Sequence, residues 1–130
     1  MKPIGVSRRE GKSGNMAGHT PDRGEIVWLN FDPQAGHEQG GRRPAVVLSP
    51  HSYNKPSGLA LFCPITNRAK GYPFEVPLPA GLAVTGVVLA DQVRSLDWRS
   101  RQAVLIGTLA EESLVEILER LRPLIAPQDA

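Results

Sequence analysis

Proline and glycine interrupt this chain so often that long regular elements have little room to form. Twelve prolines and thirteen glycines are spread through 130 residues. Proline removes a backbone donor and blocks the helix interior, while glycine favours turns, so short strands joined by turns are what remains. Only the C-terminal stretch has space for more. Between 111 and 125, Leu114, Ile117, Leu118, Leu121 and Ile125 recur at helical spacing and predict a helix with one apolar face. Thr108 followed three residues later by Glu111 fits a capping box. Glu111 and Glu112 suit the positive end of the helix dipole, and Arg120 and Arg122 suit the other end.

Runs rich in β-branched and aromatic residues predict strands at 25–31, 44–49, 59–65, 74–78, 86–90 and 103–109. Pro64 and Pro77 cannot donate to a ladder, so they mark edges or irregularities in two of these. Five to seven short strands and one terminal helix imply a mainly β fold, a small, strongly bent antiparallel barrel-like sheet with the helix packed on it. The 41% hydrophobic and 22% charged residues suit a single globular domain. Residues 1–23 lack large aromatics and apolar periodicity, which predicts a disordered N-terminal arm over 1–22 and one domain over 23–126.

The formal net charge of +2 hides a partition. Residues 1–23 carry five basic and two acidic side chains, residues 24–109 eight and six, and residues 110–130 two and five. The body is positive and the C-terminal segment negative. A charge this small does not by itself establish a nucleic-acid partner. One cysteine excludes an internal disulfide framework, and with histidines only at 19, 37 and 51 no zinc spacing is present. No metal and no cofactor are expected. No apolar run reaches the roughly 18 to 20 residues that cross a bilayer, and the start lacks a signal-peptide core, so the expected location is the cytoplasm, with no membrane partner. Nucleotide-loop, dinucleotide-fold, zinc-protease and nucleophile-elbow patterns are all absent.

Two segments concentrate chemistry. The loop His37-Glu38-Gln39-Gly40-Gly41-Arg42-Arg43-Pro44 brings a histidine, a carboxylate and two guanidinium groups between two predicted strands. Composition alone favours a solvated turn. Arg43, entering an apolar strand through Pro44, is placed to be held, and its planar fork of donors matches phosphate oxygens. The second segment gathers Thr66, Asn67, Arg68, Lys70, Tyr72 and Phe74 at the end of another strand. Cations track a phosphate backbone and aromatic faces stack unpaired bases, so this mixture suits single-stranded nucleic acid. A basic turn with core aromatics explains it equally well. Asp91-Gln92 reads first as a turn pair after a strand, with Arg94 opening a cationic stretch to Arg101. Cys63, between Phe62 and Pro64, reads as a buried structural thiol. Trp28 and Trp98 read as core or interface residues.

The ordered series Gly24-Glu25-Ile26-Val27-Trp28, Phe31-Asp32-Pro33, Gly36-His37-Glu38-Gln39 and Arg42 to Pro50 resembles the MazF/PemK (Kid) family of toxin endoribonucleases. The likeness continues through Tyr53-Asn54, Pro64-Ile65-Thr66, Lys70 to Val76, Gly86, Ala90 to Ser95 and Trp98-Arg99, covers residues 23 to 125, and is closer to the MazF-like branch. It implies an SH3-like barrel of the CcdB/MazF/PemK type, a homodimer, and a MazE-like antitoxin that occupies the RNA groove. The implied activity is sequence-specific, metal-independent cleavage of single-stranded mRNA to 2′,3′-cyclic phosphate and 5′-hydroxyl ends, which inhibits translation and growth. By the same resemblance Arg43, Thr66, Glu38 and His37 are the catalytic candidates. Arg42, Asn67, Arg68, Lys70, Tyr72, Phe74, Asp91, Gln92 and Arg94 are the RNA-binding ones. PemK-like members place a further catalytic arginine where this chain has Leu89, which moves the burden to Arg43.

A guanidinium with pKa above about 12 is a poor base near neutrality. Arg43 is therefore better read as an electrostatic clamp, with Thr66 beside it and Glu38 or His37 deprotonating the 2′-hydroxyl. The alternative on the same fold is a CcdB-like poison of DNA gyrase without nuclease activity. That branch relies on an aromatic, apolar C-terminal end, and this chain ends Ala126-Pro127-Gln128-Asp129-Ala130. A plain RNA-binding barrel would keep the cations without needing Arg43 and Thr66 together.

Overall fold

A computed structural model describes residues 18–33 and 35–127. Its centre is the run Leu-Ala-Leu-Phe-Cys-Pro-Ile-Thr, which forms the longest strand, β3 (Leu59–Thr66). On one side β3 pairs with β2 (Arg42–Val47), and β2 pairs in turn with β1 (Glu25–Asn30). β7 (Val104–Thr108) closes that side against β1, with a register shift between Ile26 and Val27. On the other side β3 changes partner along its length. Leu59 to Phe62 pair with β6 (Arg94–Asp97), whereas Ile65 and Thr66 pair with β5 (Val87–Leu89). β4 (Glu75–Pro77) then lies outside β5.

The sheet is thus seven-stranded and antiparallel, in the order β4-β5-β3-β2-β1-β7 with β6 branching from β3. It is barrel-like but not closed, because β4 and β7 remain edges. Pro64 falls where β3 passes from β6 to β5, so its missing N–H coincides with the gap between partners. Pro77 ends the edge strand β4. Both prolines occupy the irregular or edge positions that the sequence requires.

Both faces of the sheet are covered. Ile26, Val46, Leu48, Cys63 and Ile65 pack with Ile117 and Leu121 of α2 (Glu111–Ile125). Alternate residues Val27, Leu29, Ala45, Val47, Ala60 and Phe62 pack with Phe31, Leu96 and Trp98. Strands buried on two faces read as continuous apolar runs, which is why Ala45-Val46-Val47-Leu48 shows no alternation.

Several elements differ from the sequence expectation. α1 (His51–Ser57) was not expected, since it has no apolar period and contains Pro56. The signal available was its bracketing by Pro50 and by Gly58, which takes φ 73° at the C-cap. β6 was missed because its four residues include one buried apolar side chain, Leu96. α2 begins at Ala110 without a side-chain cap, because Thr108 is the last residue of β7, opposite Glu25. Its buried face is also narrower than its periodicity suggests: Leu118 is 37% exposed and Ile125 73%.

The proposed arm boundary at residue 22 also meets a difference. Residues 1–17 lie outside the described residues, but 18–22 are tied to the body. His19 Nε2 lies 2.9 Å from Glu25 Oε1, and the Asp22 carboxylate accepts from the first N–H of α1, at His51, at 2.8 Å. That contact satisfies one donor at the helix start. The deeper tie is Asn54, fully buried in α1. Its Nδ2 donates to Pro21 O at 2.8 Å and to Ser49 O at 2.9 Å, while Oδ1 accepts from Ser49 Oγ at 2.6 Å. Trp98 Nε1 donates to the Asn54 carbonyl at 2.9 Å. One asparagine therefore joins the N-terminal segment, the chain just after β2, α1 and the turn after β6. Leaving a buried polar group unpaired costs about 1–3 kcal/mol. Asn54→Ala is accordingly expected to lose about 2 kcal/mol or more in urea unfolding; an unchanged midpoint and slope would show that the network is energetically idle.

Candidate active site

The register of β2 and β3 decides which side chains meet at their ends. Ala45 lies opposite Pro64, so two residues further along each strand Arg43 and Thr66 fall in the same row and on the same face. Leu29 extends that row on β1 and Val87 on β5. Arg43 is half-buried, and its Nε donates to the buried carbonyl of Gly40 at 2.8 Å. Thr66 is 6% exposed, and its Oγ1 accepts from Arg68 N at 3.1 Å. The hydroxyl keeps its own proton to donate. Behind Thr66 lies Gly86, at φ 123°, so close that a Cβ there would stand 2.4 Å from Thr66 O. Only glycine lets β5 approach the end of β3 this closely.

The loop from Phe31 to Gly41 is anchored at its base and along its length. Phe31 N donates to Gly41 O at 2.9 Å, and Gly41 N donates to Asp32 Oδ1 at 2.7 Å. Arg101 Nη1 donates to Asp32 O at 2.8 Å, Arg94 Nη1 to Phe31 O at 3.1 Å, and Arg42 Nη2 to Gln102 O at 2.8 Å. Arg94 also lies over the Phe31 ring, 5.9 Å from its centroid. His37 and Glu38 are exposed on this loop, and Glu38 Oε1 accepts from Ala35 N at 3.2 Å. Gln92 reaches the loop from the β5–β6 connection, its Oε1 accepting from Gln39 N at 3.1 Å.

The second loop leaves Thr66. Asn67, Arg68, Lys70 and Tyr72 are exposed there, Tyr72 to 59%, while Phe74 is half-buried and its carbonyl accepts from Ala90 N at 3.0 Å. Glu75 fixes this loop through two backbone donors, Lys70 N at 2.9 Å and Gly71 N at 3.0 Å. The fold therefore brings Arg43, Thr66 and the two loops to one end of the sheet. Asp91 stands apart, exposed in the turn after β5, where its charge is felt by Cys63. Leu89 is buried in β5, opposite Glu75.

Among the described residues the ion pairs are His19–Glu25 and Glu116–Arg120, both away from Arg43. Arg42, Arg43, Arg94 and Arg101 are instead held by backbone carbonyls, which orient a guanidinium without neutralising it. The residue reading did not single out Asp32, Glu75, Gly86 or Arg101 as builders of this end. Arg101 and Asp32 are far apart in sequence, and nothing local announces their contact. Cys63 is buried, as expected of a structural thiol, and burial followed by the negative charge of Asp91 pushes it from 9.0 to about 12.

Residues 22–125 match the family described as PemK-like, MazF-like toxin of type II toxin-antitoxin system. The chain belongs to this family. Endoribonuclease toxin MazF of Escherichia coli K12 is 50% identical over 107 residues, covering 82% of this chain and 96% of that protein. The crystal structure of MazF from Deinococcus radiodurans superposes with a TM-score of 0.80 at 61% identity, over 82% of this chain and 97% of that one. A MazE–MazF crystal structure from the same organism gives 0.74 at 52% identity, over 85% and 99%. The resemblance carried by the sequence is thus correct, and nothing in these likenesses supports the gyrase-poisoning alternative. Among the described residues no helix is long and apolar enough to cross a membrane.

Two outcomes follow from this geometry. Gly86→Ala is expected to destabilise by about 1–3 kcal/mol, an overpacking cost, with displacement of Thr66; an unchanged unfolding midpoint would contradict the close approach. The raised Cys63 value favours the neutral thiol in the folded state, so its contribution to stability is full below 9.0 and is lost as pH rises toward 12. Iodoacetamide at pH 8 is expected to label Cys63 only after unfolding, and rapid labelling of the native chain would contradict its burial.

Proposed function

We propose that this chain is the toxin of a type II toxin–antitoxin pair and cuts single-stranded RNA by intramolecular transesterification. The observation that carries this reading is the placement of Arg43 and Thr66 in one row at the ends of adjacent strands, beside a loop bearing His37 and Glu38. The naming of the 50% identical Escherichia coli relative as an endoribonuclease toxin supports it.

In this mechanism a ribose 2′-hydroxyl attacks its own phosphodiester. Glu38 or His37 takes the hydroxyl proton, the new P–O2′ bond forms, the P–O5′ bond breaks, and the departing 5′-oxygen takes a proton from water. The products are a 2′,3′-cyclic phosphate and a 5′-hydroxyl. Charge developing on the nonbridging oxygens is met by Arg43, whose Nε is spent on Gly40 and whose terminal nitrogens form the fork, and by the Thr66 hydroxyl. Because the nucleophile comes from the substrate and the charge is met by side chains, the chemistry requires no metal or cofactor. Asn67, Arg68, Lys70 and Tyr72 offer phosphate and base contacts, with Arg42, Phe74 and Arg94 bordering the same groove, whereas Asp91 stands apart from it. We further propose a homodimer acting in the cytoplasm, sequence-specific on mRNA, and restrained by a MazE-like antitoxin, in keeping with the MazE–MazF complexes of the Deinococcus relative.

The test is cleavage of end-labelled single-stranded RNA in EDTA beside a fully 2′-deoxy copy. Only the RNA is expected to be cut. Arg43→Lys and Thr66→Val are expected to lower the single-turnover rate about 10²- to 10³-fold, the effect of removing one oxyanion donor. A folded chain that cuts no RNA overturns the reading, and near-wild-type cleavage by Arg43→Lys overturns the fork-shaped clamp.

A further inference from the structure

The loop that carries His37 and Glu38 contains Gly36, Gly40 and Gly41, and among the described residues Glu38 itself bonds only within the loop, to Ala35. Its base is tied by Phe31, Asp32 and Gly41. Among the described residues, two side chains tie its middle to the rest of the protein: Arg43 at Gly40, and Gln92 on either side of Glu38. Gln92 Oε1 accepts from Gln39 N at 3.1 Å, and Gln92 Nε2 donates to His37 O at 3.4 Å. These two contacts bracket Glu38. Gln92 is a firm support: it is half-buried, its own N–H donates to Leu89 O at 3.1 Å, and two residues later the chain enters β6 against β3.

A neutral amide suits this position because it offers a donor and an acceptor at once, one for each backbone group. A carboxylate would keep only the acceptor, and an aliphatic side chain neither. Arg94, the first residue of β6, holds Phe31 O at the loop's start. The chain from Gln92 into β6 therefore supports the loop at two points, with Gln92 the one nearest the titratable side chains.

We propose that Gln92 is a positioning residue that holds His37 and Glu38 in place relative to Arg43, rather than a group that contacts RNA. This rests on the ribonuclease reading above. Its consequence is kinetic: loss of the strut leaves RNA affinity in place and slows the chemical step, because a loop that samples many positions seldom presents its base to the 2′-hydroxyl.

The test compares full-length wild type with Gln92→Leu and the near-isosteric Gln92→Glu, using backbone hydrogen exchange and single-turnover cleavage of a single-stranded RNA. Gln92→Leu is expected to speed exchange of the Gln39 amide about tenfold or more, while Gln92→Glu, which keeps the acceptor, stays near wild type. In the leucine variant the cleavage rate is expected to fall about 10- to 100-fold with the RNA Kd changed less than about threefold. Unchanged exchange at Gln39 in the leucine variant overturns the strut. Faster exchange with an unchanged cleavage rate overturns its part in catalysis, and a loss lying wholly in Kd assigns Gln92 to RNA contact instead. If wild type cuts no RNA the ribonuclease reading fails, while the exchange comparison still decides whether Gln92 holds the loop.

Discussion

The rest of the structure depends on β3 serving two neighbours on one side. Its first half pairs with β6 and its last two residues with β5, and Pro64 lies at the change of partner. A proline in the middle of a sheet would ordinarily leave a neighbouring carbonyl without its ladder bond. Here the missing donor falls where the ladder is already divided. The division lets the far end of β3 bring Thr66 against Gly86, while β2 on its other side brings Arg43 to the same row. The candidate site is thus a product of strand register. A slip of one residue between β2 and β3 would turn the buried residues of that strand to the wrong face.

Electrostatics at that end follow from how the arginines are held. Arg42, Arg94 and Arg101 donate to the carbonyls of Gln102, Phe31 and Asp32, and Arg43 to Gly40. A carbonyl dipole fixes a guanidinium's direction but leaves its full charge to attract an anion, whereas a carboxylate would cancel it. Glu111, Glu112, Glu116 and Glu119 gather four carboxylates on α2, while Asp32 and Glu75 are engaged by backbone N–H groups of the two loops. A net charge of +2 is therefore a poor guide to the field a phosphate would meet.

Much of the architecture was legible because its elements announce themselves locally. The apolar runs located β1, β2, β3, β4, β5 and β7, and the helical period located α2 from 111 to 125. The failures share a cause. α1 and β6 have almost no apolar period, and each is held by contacts to distant segments: Asn54 to Pro21, Leu96 opposite Ala60. The capping box at Thr108 failed because the same residue was needed by β7, whose pairing with β1 extends to Glu25. A local signal yields when a ladder claims the residue.

The sequence by itself determined the strand-rich class, the single C-terminal helix, the buried thiol and the family, because composition, periodicity and an ordered motif series are properties of residues in line. It also named Arg43, Thr66, His37 and Glu38 as residues of interest. What only the tertiary structure decided is how they are held: Arg43 by Gly40, Thr66 against Gly86, and the loop between Arg94, Arg101 and Gln92. These contacts join residues up to 69 positions apart in the chain. A hydrogen bond requires its partners within about 3 Å and well aligned, and for residues so distant that alignment exists only once the register of β1, β2 and β3 is set.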